Sequence, residues 1–92
     1  MHTQSTDSIS LLVNSLETVN HDARQSAAIQ LIEIGVATVP TLIEALDHVN
    51  ADVRHIAAWA LGEIGDERAV EPLINTLHDS SIHVQDWAAK AL

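Results

Sequence analysis

The sequence predicts an all-α fold, a right-handed superhelix of three helix hairpins, on three observations. A block of residues recurs at a nearly constant interval. The apolar residues inside each block keep the helical period. Residues that start and stop helices fall at matching places between the blocks. The block reads DARQSAAIQLIEIG over Asp22–Gly35, DVRHIAAWALGEIG over Asp52–Gly65 and HVQDWAAKAL over His83–Leu92. Asp22 to Asp52 is 30 residues and Asp52 to His83 is 31, the extra residue falling in the turn after Gly65. Between the blocks run VPTLIEAL (Val39–Leu46) and VEPLINTL (Val70–Leu77), with ISLLVNSL (Ile9–Leu16) as an earlier relative. A chain of 92 residues has little room for a conventional core. Stacked repeats share one continuous core between neighbours.

The elements follow in order. Helices are expected near 8–18, 22–34, 38–48, 51–64, 69–78 and 82–92, each odd one pairing with the next as an antiparallel hairpin. Residues 1–7 are expected to be a flexible N-terminus. Residues 8–92 form one domain, with repeats at about 8–35, 36–65 and 66–92, the last truncated. The first helix of each repeat carries its apolar residues at i, i+1 and i+4: Leu12, Val13, Leu16; Leu42, Ile43, Leu46; Leu73, Ile74, Leu77. Pro40 and Pro72 lie in first turns, where a missing N–H costs little. In the second helix of the second repeat, Val53, Ala57, Leu61 and Ile64 make the buried stripe, broadened by Ala58 and Ala60. Asn20, Asn50 and Ser81 stand at equivalent places and suit N-caps. Gly35 and Gly65 follow the last apolar residue and suit a left-handed helix end. No segment alternates cleanly enough for a strand.

Two features speak of how repeats meet. Ala27–Ala28, Ala57–Ala58 and Ala88–Ala89 place small residues at one height, so helices can approach closely, while Leu31, Leu61 and Leu92 fill the wider gaps. Arg24 and Arg54 recur one turn before the paired alanines, with Gln85 in that place in the third repeat. Each arginine lies two residues after an aspartate, too close to face it on the same helix. A ladder to an aspartate of the adjacent repeat is the expected role.

Composition narrows the function. Thirteen acidic residues face four basic ones, a formal charge of -9. Nucleic-acid backbone calls for a basic patch, and Arg24, Arg54, Arg68 and Lys90 do not make one. The acidity disfavours anionic membranes, and the apolar runs read as too short for a membrane span. It favours solubility and permits a partner with a basic face. The chain has no cysteine, so it holds no disulfide and no thiol nucleophile. The polar start, MHTQSTDS, lacks a signal peptide's regions, which makes the cytoplasm the default compartment.

VRHIAAWALGEIGDERAVEPLINTL (Val53–Leu77) resembles the short HEAT-like repeats of the phycobilisome lyase type. The arginine, the alanine pair, the leucine, the two glycines and AVEPL all fall in register. The resemblance covers residues 22–92 well and 9–21 weakly. It implies a HEAT-like solenoid. It also implies several kinds of function, because that family includes phycobilin lyase subunits, proteins of phycobilisome breakdown, scaffolds and iron-dependent deoxyhypusine hydroxylase. The hydroxylase-like members bind iron through His-Glu dyads. The matching positions here are Gln25-Ser26, His55-Ile56 and Asp86-Trp87. Only His55 survives, without its glutamate, so no metal and no cofactor are expected. Motifs for phosphate loops, zinc proteases and serine hydrolases are missing as well, and Asp66 and Glu67 beside Arg68 make no case for acid–base work. The expected function is a non-catalytic protein-binding or scaffold module. Two alternatives rest on the resemblance: a fragment or subunit of a phycobilin lyase or phycobilisome-associated protein, holding a bilin or a bilin-bearing subunit, and a remnant of a hydroxylase-like HEAT enzyme, which the missing His-Glu dyads disfavour.

In this fold, the side of the second helices that faces away from the core lines a concave face. There the sequence places His55, Ile56, Trp59 and Glu63, with Gln25, Ser26, Ile29 and Glu33 matching them in the first repeat and Asp86, Trp87 and Lys90 in the third. The candidate partner-binding set is Ile29, Glu33, His55, Ile56, Trp59, Glu63, Asp86, Trp87 and Lys90. Gathered exposed apolar residues mark contact sites, and tryptophan is a common anchor. The family pattern continues beyond AAKAL, where this chain ends. Trp87, Ala88, Ala91 and Leu92 are therefore expected near an open flank that favours a homo-oligomer.

Overall fold

The computed structural model describes residues 5–18 and 20–92. Among the described residues six α-helices follow one another: α1 (Ser5–Ser15), α2 (His21–Ile34), α3 (Val39–Ala45), α4 (Ala51–Ile64), α5 (Val70–Thr76) and α6 (Ile82–Ala91). Short 3-10 turns, Gly35–Thr38 and Glu67–Ala69, lead into α3 and α5. Each odd helix packs on the next, α2 and α6 flank α4, and α1 meets α3. The result is a two-layer solenoid, 40 × 29 × 18 Å, with the odd helices in one layer and the even helices in the other.

The even helices match their expected spans to within one residue, and their starts explain why. Asn20 Oδ1 accepts from Ala23 N at 3.0 Å, Asn50 Oδ1 from Asp52 N at 2.8 Å, and Ser81 Oγ from Val84 N at 3.5 Å. All three predicted N-caps therefore satisfy a donor that the first turn leaves free. Gly65 closes α4 in the left-handed region, φ 75 and ψ 24, with its N–H on Leu61 O at 3.0 Å. Gly35 differs: φ is 83 but ψ is -136, because a 3-10 turn begins there at once. Thr38 ends that turn fully buried, its hydroxyl donating to Gly35 O at 2.7 Å.

The odd helices end earlier than expected. α1 ends at Ser15 rather than near 18, α3 at Ala45 rather than 48, and α5 at Thr76 rather than 78. In each case three further residues bond back by three: Leu16, Glu17 and Thr18; Leu46, which also keeps its bond to Leu42 O, with Asp47 and His48; Leu77, His78 and Asp79. The last turn tightens, as helix ends do. At the other end α1 starts at Ser5, inside the stretch expected to be flexible, and the rest of that stretch lies outside the described residues.

The core runs through all three hairpins. Leu16, Leu31, Leu42, Leu61, Val39 and Val53 are almost wholly enclosed, and Ala28, Ala57, Ala58, Ala60 and Ala88 have no exposed surface. Ile64 is partly buried at its edge. The 25 residues His21–Ala45 are long and apolar enough to cross a membrane by length and composition alone, against the expectation that no run approaches a span. They are two helices broken at Gly35, whose Ala27, Ala28, Leu31, Val39 and Leu42 belong to this core.

Candidate functional site

The site depends first on the turns that set the even helices at matching heights. Thr18, His48 and Asp79 occupy equivalent positions before the three N-caps. Each accepts the N–H of its capping residue: Asn20 N donates to Thr18 Oγ1 at 3.2 Å, Asn50 N to His48 Nδ1 at 3.0 Å, and Ser81 N to Asp79 Oδ1 at 2.8 Å. Each also offers its carbonyl to the side chain one turn into the helix. Arg24 Nη1 donates to Thr18 O at 3.1 Å, Arg54 Nη1 to His48 O at 2.7 Å, and Gln85 Nε2 to Asp79 O at 2.6 Å. Gln85 thus keeps the carbonyl bond that the two arginines make in their own repeats.

The expected arginine ladder is present. Arg54 holds both oxygens of Asp79, at 2.8 and 3.1 Å, and Arg24 reaches Asp52 at 3.4 Å. Burial opposes the charge on Asp79, but the Arg54 guanidinium and the Ser81 N–H outweigh it and keep the carboxyl below its usual range. These bonds make Arg24 and Arg54 structural. Arg68 is structural too: it closes on Asp66 at 2.9 Å and donates to Val36 O of the preceding repeat at 3.2 Å.

With the helix starts aligned, the even helices present a recess of about 270 Å³. His21 and Gln25 come from α2, His55, Ile56 and Trp59 from α4, and Trp87 from α6. The His55 ring stacks on Trp87 with centroids 5.5 Å apart and planes 29° apart, and Trp59 meets Trp87 edge-on at 6.4 Å and 68°. Both arrangements suit the ring quadrupoles. Both tryptophans keep part of their surface open. Burial pushes the His55 imidazole below its usual 6.5; Asp52 pulls the other way, and His83, Arg24 and His21 add to the lowering. A smaller notch of about 110 Å³ adjoins the recess, formed by Trp59, Gly62, Glu63, Trp87, Lys90 and Ala91. A larger cavity, about 330 Å³, lies between α3 and α5. Its wall mixes Ile43 and Pro72 with Asp47, Asn75, His78 and Asp79, and Asp79 is already committed to Arg54.

Six of the nine candidate residues meet at these two adjoining hollows: His55, Ile56, Trp59, Glu63, Trp87 and Lys90. Ile29, Glu33 and Asp86 are exposed but line neither. One placement is corrected. Ile56 is only 7% exposed and belongs to the core as well as to the recess wall, because α4 lies between α2 and α6 and is covered on both sides. Ala88, expected at an open flank, is fully buried in the shared core, whereas Leu92 is 52% exposed. His21 is an addition. It stands four residues before Gln25 and thus on the same helix face, but it precedes the repeated block, so the repeat did not point to it.

Among the described residues, no three histidine, aspartate or glutamate side chains group as metal ligands. Residues 39–92 match the family described as HEAT repeats, and residues 23–48 match the one described as PBS lyase HEAT-like repeat. No curated protein matches the chain.

Proposed function

The chain belongs to the HEAT-repeat family, and from that premise we propose that it is a cytoplasmic, non-catalytic binding module that takes a protein segment on the face formed by α2, α4 and α6. Solenoids of stacked helix pairs offer extended concave surfaces of this kind. The observation that carries the reading is the recess itself, where the only two tryptophans of the chain meet across neighbouring repeats around His55 and Ile56. Partly desolvated tryptophans in a hollow are what binding anchors look like. The surrounding charge selects the partner. Glu33, Glu63 and Asp86 are exposed on these helices, and the whole chain carries -9, which favours a segment bearing basic side chains.

A pull-down followed by Trp59→Ala and Trp87→Ala tests this. Binding of the recovered partner should weaken by about tenfold or more in each variant, roughly 1.4 kcal/mol, with circular dichroism unchanged. If both variants stay folded and keep every partner at full affinity, the tryptophans serve packing alone and the reading fails. The match of residues 23–48 to PBS lyase HEAT-like repeats favours a second reading, in which the apolar recess receives a bilin or a bilin-bearing subunit. Visible absorbance that copurifies with the chain and is lost in the tryptophan variants would move the assignment there.

A further inference from the structure

We propose that the notch between Trp59 and Trp87 is a cation slot, that its occupant in the complex is a lysine of the partner, and that Lys90 of this chain fills the slot until that lysine displaces it. The inference rests on the groove reading above and assigns the chemistry of one anchor within it.

The Lys90 ammonium lies 4.7 Å from the Trp87 ring centroid, inside the range of about 6 Å in which a cation is drawn to the face of an indole. Trp59, Trp87 and Glu63 line the notch. Its lining also includes the two smallest residue types, Gly62 and Ala91, which lie close together. A Cβ added to Gly62 would sit 2.7 Å from Ala91 Cβ. With Lys90 against Trp87, about 110 Å³ stays open beside the rings, room for a slender, charged chain end once Lys90 moves aside.

The other cations of this chain are committed elsewhere. Arg24 pairs with Asp52, Arg54 with Asp79 and Arg68 with Asp66. Among the described residues Lys90 makes no ion pair within 4 Å, and the Trp87 face is its recorded partner. A lysine on an exposed helix position keeps much of its freedom, and losing one contact of this kind costs little. Glu63, in the lining of the notch, favours a cation there, from this chain or from the partner. An incoming lysine arrives with the apolar contacts of its own segment in the adjoining recess. Lys90 has no such addition, and so it gives way.

Tryptophan fluorescence reads this site directly, because the chain has two tryptophans and no tyrosine. The probes are an end-capped peptide alternating leucine with lysine and its twin with glutamine for every lysine. Lys90→Ala should bind the lysine peptide about two- to fivefold more tightly than the unaltered protein, the range of an exposed cation–π contact. Its affinity for the glutamine twin should not change. The gain should vanish when Lys90→Ala is made on a Trp87→Leu background, whereas a general effect of removing one positive charge would persist there. No gain, a loss, or a gain that survives Trp87→Leu overturns the slot. So does failure of the lysine peptide to bind Lys90→Ala at millimolar concentration. In that last case, binding of the glutamine twin that still depends on Trp59 leaves the groove reading standing, which separates the two claims.

Discussion

The seam between the first and second hairpins and the seam between the second and third use the same arginine at the same place, yet hold it differently. Arg54 grips Asp79 with two bonds, and both side chains are largely buried, at 14% and 11% exposed. Arg24 touches Asp52 once, at 3.4 Å, and that carboxylate is 63% exposed. Arg24 Nε is buried with no partner among the described residues. The cause lies in the turn rather than in the arginine. Where the third repeat presents Asp79, the second presents His48. That ring accepts from Asn50 at Nδ1 and turns its Nε2 to Glu17 at 2.9 Å, so it has nothing to offer a guanidinium. Arg24 must look one turn further on, to Asp52 near the start of α4. The residue two places before the cap therefore decides how firmly two repeats are tied.

Where the two seams are alike, matched substitutions should cost alike. Leu31 and Leu61 are equivalent and almost fully enclosed, at 0% and 1% exposed. Leu31→Ala and Leu61→Ala should each lose about 2–5 kcal/mol in urea denaturation. A loss below about 0.5 kcal/mol at either site would remove that leucine from the shared core and with it the basis for comparing seams.

Where the seams differ, the arginines should part. Arg54→Met strands a mostly buried Asp79 and leaves the His48 carbonyl without its donor, at a cost of about 3 kcal/mol. Arg24→Met breaks one exposed contact and one carbonyl bond, at a cost of about 1 kcal/mol. Equal losses in the same denaturation experiment would mean that geometry at the turn does not set the strength of the tie.

The smallest effect is one of pH, and it belongs to the second seam alone, since Gln25 occupies the place of His55 in the first. His55 has a lowered pKa in the folded chain, so folding favours its neutral form. That contribution is fully present above 6.5, the ordinary value, and is lost as pH falls from there towards the lower folded value. His55→Gln should flatten the decline in Tm between about pH 7 and pH 5 that this group causes. An unchanged slope would show that His55 is not the titrating group.

Much of the fold was legible because repetition tests each assignment several times. Asn20, Asn50 and Ser81 differ in type but share a capping oxygen, and the even helices followed from them. The ends of the odd helices were not legible. Leu46 and Leu77 keep the apolar spacing into the tightened turn, so periodicity runs on past the last residue of the α-helix. The bonding role of Thr18, His48 and Asp79 was hidden for the opposite reason. A hydroxyl, an imidazole and a carboxylate look like a variable position, while what recurs is a lone pair at one point in space. Of the candidate site, the tryptophans and their neighbours were readable from the helix face, but a wheel drawn for one helix assigns one buried side. It could not place Ile56, because α4 has a neighbour on each flank.

The contact of Gly62 with Ala91 has a mechanical consequence. It brings α4 and α6 almost to backbone contact, while α3 and α5 stand apart around the cavity of about 330 Å³ in the other layer. The third hairpin thus meets the second as a wedge with its thin edge on the tryptophan side, and a stack of such wedges bends into an arc. The thin edge is set by hydrogen and methyl alone: a Cβ at position 62 would lie 2.7 Å from Ala91 Cβ, so the curvature depends on what position 62 lacks.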